Sequence, residues 1–578
     1  MGAAKSNTLR GGPGRAYVEV TMKMNGARIF VESLLEEKVE TLFCYTGGAV
    51  IPIYDALYKH GQKIRCIQPR HEQGGTHSAD AYARTTGKVG VVLVTSGPGA
   101  TNTITGIATA YMDSVPLVVV TGQVTTSRIG TDAFQEADIT GITLPLTKAS
   151  FLVTSVEELA ETMKKAFYIA SSGRPGPVVI DLPADVQLQE TDYHYPETLE
   201  MASYNPKTKG HPKQIKAALN LLNKAKKPLV LVGGGVIFSG SAALVNDFLD
   251  KFNIPAVSTL MGHGVNPENE DLYYGGIGMH GSLYGNHAIQ DADLLLALGV
   301  RFSDRILGDT KSFAPNASII HVDIDPAEIG KNVDVDVPIV GSVESVLEEF
   351  LKADLNKDHA PWIAQLKEYR KNNPLVYRRE GLLKAQYMVE TANRVFPRDT
   401  IVAADVGQNQ MWVAQYFRFR HPRTFVSSSG LGTMGFGLPA AIGAKIGSPE
   451  KEVIMISGDG GFQMNIQELA TIKKYNLAVK MLVLDNGYLG MVRQWQELLC
   501  DKRYSGTPMG DNPDFCEIAR AYGIKARLLD RHSDAEEALT ELAQTNESML
   551  LHAVVDAEEN VLPMVPAGKS LDNVITKI

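Results

Sequence analysis

The sequence predicts an α/β protein of three doubly wound domains, each built around a parallel sheet. Three observations predict this fold: short apolar runs alternate with helical patterns, glycines follow many of those runs, and two polar segments divide the chain. The expected domains span residues 25–190, 210–345 and 375–578. At roughly 150 residues per domain, a chain of 578 residues holds three or four such units.

The first predicted sheet takes its strands from five short apolar runs. Continuous runs of this length, bounded by turn residues, are typical of buried strands in a parallel sheet. The runs cover residues 41–45, 64–68, 89–95, 116–121 and 177–181. The polar residues 195–213, which contain several Pro and Lys, then predict a linker.

The second and third predicted sheets follow the same logic. The second begins at residue 228 and continues through 294–299 and 318–323. The charged residues 353–376 predict a connector that is compatible with a helix. The third sheet takes its strands from five runs, residues 400–405, 424–428, 453–457, 480–485 and 549–555.

Composition excludes several classes of protein. The formal net charge is −9 and the pI is about 5.9, whereas a nucleic-acid-binding domain normally carries a basic stripe. No apolar run reaches the length of about 18 residues that a membrane span needs. The four cysteines have no CxxC spacing, which indicates a reducing, cytoplasmic location. We interpret the basic residues before Glu19 as a short terminus rather than a transit peptide.

Residues 453–486 contain the sharpest chemical signal. An apolar strand leads into Gly458-Asp459-Gly460-Gly461, a helix is expected over about 463–475, and a second strand ends at Asn486. Parallel strands end at the same edge of a sheet, where open α/β sheets bind their ligands. Oxygen donors suit Mg²⁺, and glycines at a helix start let a diphosphate approach the backbone. The pattern therefore predicts a metal–diphosphate site, although Gly-Asp-Gly alone is also compatible with a plain turn.

A second interpretation of this part of the chain is a nicotinamide-binding unit. Residues 430–435 match GxGxxG after a predicted strand, and Asp459 follows at a distance suited to a ribose contact. An isolated GxGxxG is a weak signal, and Asp459 starts a new helix between glycines. We therefore favour the phosphate loop. The phrases at 96–99 (SGPG) and 429–432 (SGLG) are compatible either with chance or with a shared design of the first and third domains.

The spacing from residues 458–460 (GDG) to Asn486 resembles the cofactor signature of thiamine-diphosphate enzymes. Five further phrases narrow the resemblance to the catalytic subunits of acetohydroxyacid synthase (acetolactate synthase), over about residues 25–570. They are residues 70–74 (RHEQG), 95–102 (TSGPGATN), 130–136 (GTDAFQE), 173–177 (GRPGP) and 490–496 (GMVRQWQ). The resemblance implies that the first and third domains are of one thiamine-diphosphate-binding type, with a central FAD-binding domain.

The resemblance implies a reaction and its catalytic residues. Pyruvate loses CO₂ on thiamine diphosphate, and the hydroxyethyl unit passes to pyruvate or 2-ketobutyrate. The products, 2-acetolactate or 2-aceto-2-hydroxybutyrate, serve branched-chain amino-acid biosynthesis. Glu72 is expected to share a proton with the aminopyrimidine ring, and Gln123 and Phe134 are expected near the reacting carbons. Arg305 is expected to hold a carboxylate, and Trp495 to favour the larger acceptor.

The cofactor-binding residues are likewise implied by position. Mg²⁺ is expected to bind Asp459 and Asn486. Thiamine diphosphate is expected to contact Glu72, Gln408, Met434, Gly458, Gly460, Gly461 and Tyr488. FAD, in a structural role, is expected to contact Arg174, Gly234, Thr259, Leu260, Met261, His280, Gly299, Arg301, Asp323 and Ile324.

The expected partners follow from the same resemblance. They are small 2-keto acids, a second copy of the chain in a homodimer or homotetramer, and a small regulatory subunit, with neither nucleic acid nor membrane. The alternatives are a flavin-independent catabolic acetolactate synthase, a pyruvate oxidase, or a non-catalytic homologue. The sequence departs from the family pattern at five positions, Thr46, Thr125, Ala184, Ser303 and Asp485, where Pro, Pro, Lys, Asp and Asn are usual.

Overall fold

The computed structural model describes residues 22–356 and 358–577, so the basic segment before Glu19 lies outside the described residues. Three six-stranded sheets dominate it, and every strand pair within them is parallel. The predicted α/β class with three parallel sheets is confirmed. A short antiparallel pair, β1 (Met22–Asn25) with β8 (Glu190–Tyr193), joins the two ends of the first domain.

The first sheet has the strand order β3-β2-β4-β5-β7-β6. Its strands are β2 (Thr41–Cys44), β3 (Arg65–Ile67), β4 (Gly90–Val94), β5 (Leu117–Gln123), β6 (Ala149–Leu152) and β7 (Pro177–Pro183). The helices that accompany it are α1 (Gly26–Glu36), α2 (Ile51–His60), α3 (Glu72–Thr86), α4 (Pro98–Thr101), α5 (Ile104–Asp113), α6 (Ile139–Thr143) and α7 (Leu159–Ser171). All five strands predicted here are present, and the edge strand β6 was not predicted.

The second sheet has the order β11-β10-β9-β12-β13-β14. Its strands are β9 (Pro228–Val232), β10 (Ala256–Ser258), β11 (Tyr273–Gly276), β12 (Leu294–Leu298), β13 (Ser318–Asp323) and β14 (Val337–Val340). Its helices, with the connector helix α14, are α8 (Pro212–Lys224), α9 (Gly234–Phe238), α10 (Ala242–Phe252), α11 (Leu283–Asp291), α12 (Asp304–Leu307), α13 (Val343–Leu351) and α14 (Ala360–Asn372). Counted from its first strand, the order is 3-2-1-4-5-6, the arrangement of dinucleotide-binding sheets.

The third sheet has the order β16-β15-β17-β18-β20-β19. Its strands are β15 (Ile401–Ala404), β16 (Phe425–Val426), β17 (Val453–Gly458), β18 (Val479–Asp485), β19 (Lys525–Leu529) and β20 (Met549–Val554). Its helices are α15 (Ala385–Val395), α16 (Gln408–Tyr416), α17 (Gly437–Gly447), α18 (Asp459–Met464), α19 (Leu469–Tyr475), α20 (Gly490–Leu499), α21 (Phe515–Ala521) and α22 (His532–Gln544).

The first and third sheets share one topology. Counted from the first strand of each sheet, both run in the order 2-1-3-4-6-5. In each, the strand order reverses between strand 1 and strand 3, that is, between β2 and β4 and between β15 and β17. Ligands of open α/β sheets bind at this switch point, outside the carboxyl ends of the strands. The common design of these two domains is therefore a property of the fold.

One predicted helix differs from the structure. The sequence predicts a continuous helix over about 463–475, but the structure has α18 and α19 separated by a single 3₁₀ turn at Ile466–Glu468. Asn465 breaks the helix because its backbone leaves helical geometry and its side chain donates a hydrogen bond to the Gly435 carbonyl at 2.7 Å. The metal-loop residue Asp459 thus opens a short helix of its own.

One of the hydrophobic core clusters is shared by the first and third domains. Helices α3 and α17 lie between the two sheets, and apolar side chains from both sheets and both helices form one buried cluster. The two helices approach most closely at Gly443, where an added Cβ would lie 1.9 Å from the Ser78 carbonyl oxygen. A hydrogen bond from the Ser78 hydroxyl to the Pro439 carbonyl, 2.7 Å long, fixes the same crossing. The two domains therefore depend on a glycine for their packing.

We expect Gly443→Ala to lower stability by about 1–3 kcal/mol, because the added methyl group forces the two helices apart. Differential scanning calorimetry at one fixed scan rate should show a fall of several degrees in the thermal midpoint. Gly48→Ala is the matched control, since Gly48 is exposed and an added Cβ there has no neighbour within 4 Å. Equal midpoints for the two variants would contradict the close packing of α3 on α17.

Candidate active site

The carboxyl edge of the third sheet brings Asp459 and Asn486 to neighbouring strand ends. Asp459 follows β17 directly and Asn486 follows β18, and the two strands pair in register up to Gly458 and Leu484. Asp459 is 1% exposed. Burial, assisted by the charge of Asp485, raises the pKa of the Asp459 carboxyl to about 7. A buried carboxylate beside an amide oxygen is a fitting donor set for a divalent cation.

Asn512 lies in an irregular segment before α21 and connects the loop after β17 with the end of β18. Its side-chain nitrogen donates to Asp459 Oδ2 at 2.7 Å and to Asp485 Oδ1 at 3.0 Å. The Asn486 side-chain oxygen accepts from the Tyr488 amide at 3.0 Å, and its nitrogen donates to Gln408 Oε1 at 3.2 Å. Both predicted metal residues are thus oriented by neighbouring polar groups, as is usual around bound metals.

The departure at Asp485 has a structural counterpart in His552. The His552 Nε2 atom lies 2.8 Å from Asp485 Oδ2. Burial disfavours the charged imidazole, but the hydrogen bonds and charges of Asp485 and Cys516 together outweigh it and raise the pKa of His552 to about 9. The additional carboxylate beside the predicted metal residue is therefore paired with a cation of the same chain.

A second buried carboxylate, Asp405, organises the loop that contains Met434. It follows β15 at the switch point and accepts hydrogen bonds from the amides of Val406, Gly435 and Gly437. Burial raises the pKa of Asp405 to about 6, against the effect of these hydrogen bonds. The sequence reasoning missed Asp405, although a polar residue directly after a strand at the switch point was a usable signal.

The predicted diphosphate glycines lie in tight surroundings. A Cβ on Gly461 would approach Asp405 Oδ1 to 2.4 Å, and one on Gly460 would meet Leu489, Met509 and Met434. Gly458 is open by comparison, with its nearest neighbour 3.6 Å away. The glycines therefore serve close packing of the loop as well as access for a ligand. Residues 430–435 follow the two-residue edge strand β16 and not the first strand of the sheet, where the glycine-rich turn of a dinucleotide-binding unit lies, which argues against a nicotinamide site.

Glu72 lies in the first domain as the first residue of α3. Its Oε2 atom accepts a hydrogen bond from Asn102 at 3.0 Å, and a Cβ on Gly99 would lie 3.4 Å from its Oε1 atom. Within the described residues, its carboxylate makes no hydrogen bond to the third domain. The structure therefore presents Glu72 and Asp459 in separate half-sites of one chain.

Gln123 at the end of β5 is fully engaged in its own domain. Its amide nitrogen donates to Asp181 Oδ2 at 2.9 Å and to the Ala137 carbonyl at 2.8 Å, and its amide oxygen accepts from the Val124 amide. The exposed Phe134 contrasts with it, since 88% of its surface is accessible. Gln123 therefore helps to hold the loop that contains Phe134 in place.

A crevice of about 960 Å³ opens at the switch point of the second sheet and extends to the third domain. All ten residues predicted to contact a flavin line it: Arg174, Gly234, Thr259, Leu260, Met261, His280, Gly299, Arg301, Asp323 and Ile324. Arg305, Met434 and Trp495 line the same crevice. The structure thus brings together the predicted flavin residues and three residues assigned to the reacting centre.

The crevice fits a large dinucleotide with polar groups. His280 Nδ1, Gln415 Oε1 and Ser429 Oγ line it, and they are buried with no hydrogen-bond partner among the described residues. Burial lowers the pKa of His280 to about 4, so its ring is neutral, and burial raises the pKa of Asp323 to about 7. Buried polar groups without partners are rare in native proteins, so these three atoms fit a ligand that offers hydrogen-bonding groups.

Backbone contact explains part of the glycine pattern in this crevice. A Cβ on Gly233 would lie 2.0 Å from the Gly299 carbonyl oxygen, and Gly299 itself has a φ of +59°. The turns after β9 and β12 therefore touch each other directly. A Cβ on Gly234 would instead meet the Met261 Cβ at 3.0 Å. In the described part of the chain, no helix is long and apolar enough to cross a membrane.

Comparison with known proteins identifies the domains and close relatives. The models of thiamine pyrophosphate enzymes match in chain order: the N-terminal TPP binding domain at residues 24–142, the central domain at 215–350, and the C-terminal TPP binding domain at 405–553. The probable acetolactate synthase large subunit of Methanococcus aeolicus is 47% identical, and the alignment covers 96% of each chain. The acetolactate synthase isozyme 3 large subunit of Escherichia coli is 46% identical over 95% of this chain and 98% of its own.

Proposed function

The chain belongs to the acetolactate synthase large-subunit family of thiamine-diphosphate-dependent enzymes, and from this membership we propose the reaction and the residues that perform it. The chain decarboxylates pyruvate and transfers the remaining two-carbon unit to a second 2-keto acid, pyruvate or 2-ketobutyrate. The products are 2-acetolactate and 2-aceto-2-hydroxybutyrate, in branched-chain amino-acid biosynthesis. One observation carries the proposal: two half-sites, at Glu72 and at Asp459, lie on sheets of identical topology.

We assign the cofactor contacts on the geometry of the third domain. Thiamine diphosphate, when bound, supplies the carbanion chemistry for the loss of CO₂ and the new carbon–carbon bond. Asp459 and Asn486 would hold Mg²⁺, and the absence of a Cβ at Gly458, Gly460 and Gly461 would let the diphosphate approach the backbone. Gln408 and Tyr488 contact the same loop through Asn486. Met434 supports the cofactor from the crevice side.

Three further side chains are assigned to acid–base catalysis and substrate binding. Glu72 would exchange a proton with the aminopyrimidine ring of bound thiamine diphosphate, and Asn102 holds the Glu72 carboxylate by a hydrogen bond of 3.0 Å. Arg305 has 63% of its side chain accessible, so its guanidinium can reach a substrate carboxylate. Trp495 provides apolar contact for the larger acceptor. Gln123 acts on this site through the loop that it anchors.

We propose FAD as a structural occupant of this crevice, which residues of all three domains line. The ten flavin residues that line it and the three partnerless polar groups support this assignment. A purified protein should show flavin absorbance and should form acetolactate from pyruvate, thiamine diphosphate and Mg²⁺. Full activity without flavin would favour the flavin-independent catabolic enzyme instead. Oxygen consumption with pyruvate would favour a pyruvate oxidase, and a lack of activity would favour a non-catalytic homologue.

A second copy of the chain is needed to complete the site. Glu72 bonds within its own domain, and Phe134 exposes 88% of its surface beside that half-site. We therefore propose a homodimer or homotetramer in which Glu72 of one copy meets the Asp459 loop of the other. Analytical ultracentrifugation of the loaded enzyme tests this point, and an active monomer would contradict it.

Two further assignments remain proposals. Both relatives are large subunits of acetolactate synthase, which supports association of this chain with a smaller regulatory subunit. All four cysteines are free thiols, which supports the proposed cytoplasmic location. Co-purification of a tagged chain from its source cells tests the first assignment, and fractionation of those cells tests the second.

The Trp495→Leu variant should lose preference for 2-ketobutyrate over pyruvate as acceptor. One methylene in an apolar pocket contributes about 1–3 kcal/mol, so the product ratio should change by about tenfold or more. The measurement is the ratio of 2-aceto-2-hydroxybutyrate to 2-acetolactate with both acids present. Leu499→Ala, at a residue of the same helix that is 70% exposed, is the control and should leave the ratio unchanged. An unchanged ratio in Trp495→Leu would remove Trp495 from the acceptor pocket.

A further inference from the structure

Glu468 is a buried carboxylate of the third domain whose hydrogen bonds reach the first domain. It lies in the 3₁₀ turn between α18 and α19 and is 1% exposed. Its Oε1 atom accepts from the backbone amides of Arg70 and His71, at 2.9 Å and 3.1 Å. Its Oε2 atom accepts from the Thr471 hydroxyl at 2.6 Å. All of these contacts are polar and specific, so this carboxylate is held in one orientation.

The two amides that Glu468 binds stand immediately before Glu72. His71 is the N-cap of α3, and its Nδ1 atom accepts from the Gln73 amide at 3.1 Å. A Cβ on Gly74 would lie 2.6 Å from Glu468 Oε1, so the first turn of α3 is packed directly against the carboxylate. Hydrogen bonds to a charged acceptor are stronger than neutral ones. Glu468 therefore fixes the direction in which the chain enters α3.

Glu468 is also tied to the predicted metal loop through its own element. The segment 459–475 begins with Asp459 at the start of α18 and continues through the 3₁₀ turn into α19. Its last residue also contacts the first domain, because the Tyr475 hydroxyl accepts from the Gln68 amide at 2.8 Å. One segment thus contains Asp459 and contacts the residues before Glu72.

Domain docking alone does not require a carboxylate at this position. The α3–α17 contact already buries a large apolar core between the two domains. Burial raises the pKa of Glu468, whereas the hydrogen bonds from Thr471 and the two amides lower it. An apolar side chain would avoid this desolvation, but it would leave the two amides before Glu72 without a partner. The carboxylate thus stabilises the backbone at the start of α3 rather than the docking of the two domains.

We infer that Glu468 is a positioning residue for Glu72: it holds the backbone of Arg70 and His71 so that the Glu72 carboxylate is presented at the correct angle. This inference rests on the proposed role of Glu72. In the proposed oligomer, the segment 459–475 would then contribute Asp459 to one active site and position the Glu72 that the same chain contributes to another.

Three variants separate positioning from simple folding. Glu468→Gln keeps an oxygen that can accept both amides, Glu468→Asp keeps the charge but withdraws it from them, and Glu468→Ala removes the acceptor. Thr471→Val is the matched control, because it deletes only the bond to Oε2. Two readouts apply. Hydrogen–deuterium exchange of the 66–76 segment is measured without cofactor, and the exchange rate of the cofactor C2 proton is measured by acid quench and NMR in the loaded enzyme.

We expect Glu468→Ala and Glu468→Asp to take up deuterium faster in this segment and to slow C2-proton exchange and kcat by about 10- to 100-fold, with the KM for pyruvate unchanged. Glu468→Gln and Thr471→Val should stay close to the parent. If Glu468→Ala fails to fold, the result for Glu468→Asp alone tests the inference. C2-proton exchange at the parent rate in Glu468→Asp, or equal losses in the Gln and Asp variants, would overturn the inference. Parent-like exchange in Glu72→Gln would instead refute the proposed role of Glu72.

Discussion

The Glu72→Gln variant should lose acetolactate formation almost completely while it keeps its fold and its cofactors. An amide cannot exchange a proton with the aminopyrimidine ring, and acid–base catalysis by a positioned side chain contributes about 100- to 10,000-fold. The substitution preserves the size of the side chain beside Asn102 and Gly99, so the half-site should not collapse. The measurement is kcat for acetolactate with saturating thiamine diphosphate and Mg²⁺.

The control for this result is Glu190→Gln, which makes the same chemical change at an exposed position of the same domain, on β8. Its kcat should equal that of the parent, and both variants should bind thiamine diphosphate with parental affinity in calorimetry. The prediction fails if Glu72→Gln keeps substantial kcat. A loss of cofactor binding together with activity would show that Glu72 serves the binding of the cofactor rather than proton exchange.

Parallel-sheet topology explains why so much of the fold could be predicted. Strands buried on both faces read as unbroken apolar runs, and their carboxyl ends collect the polar residues of a site at one edge. Asp459 and Asn486 were found in this way, one crossover apart. The edge strands β6, β11, β14 and β19 were missed because their residues are partly exposed, and the buried strand β10 was missed because three residues are too few to stand out as an apolar run.

The remaining parts of the site depend on contacts that no local pattern records. Glu468 lies inside what reads as one helix, and its partner Arg70 is 398 residues away. Asn512 occupies an irregular segment, and only the folded chain brings it between Asp459 and Asp485. His552 is a strand residue whose pairing with Asp485 follows from the adjacency of β18 and β20. Tertiary neighbours of this kind are set by topology and therefore became visible only in the structure.

The Asp459→Asn variant should lose Mg²⁺-dependent binding of thiamine diphosphate. Mutation of residues that only support a metal ligand costs about 10- to 100-fold in metal affinity, so loss of the ligand charge should cost at least about 100-fold. Isothermal titration calorimetry with thiamine diphosphate at fixed Mg²⁺ measures the effect. Asp511→Asn is the control, because Asp511 is exposed and precedes Asn512, so its charge lies near the site without being part of it. Parental affinity in Asp459→Asn would remove Asp459 from the metal site.

The same substitution should have the opposite effect on the protein without cofactors. A buried carboxylate without a cation carries a desolvation penalty, and an isosteric amide removes that penalty while Asn512 remains a neighbour. The thermal midpoint of cofactor-free Asp459→Asn should therefore equal or exceed that of the parent. Adding thiamine diphosphate and Mg²⁺ should then raise the midpoint of the parent alone, because a ligand stabilises only the protein that binds it. A lower midpoint in the cofactor-free variant would mean that Asp459 stabilises the fold itself, and its burial would then need no metal to explain it.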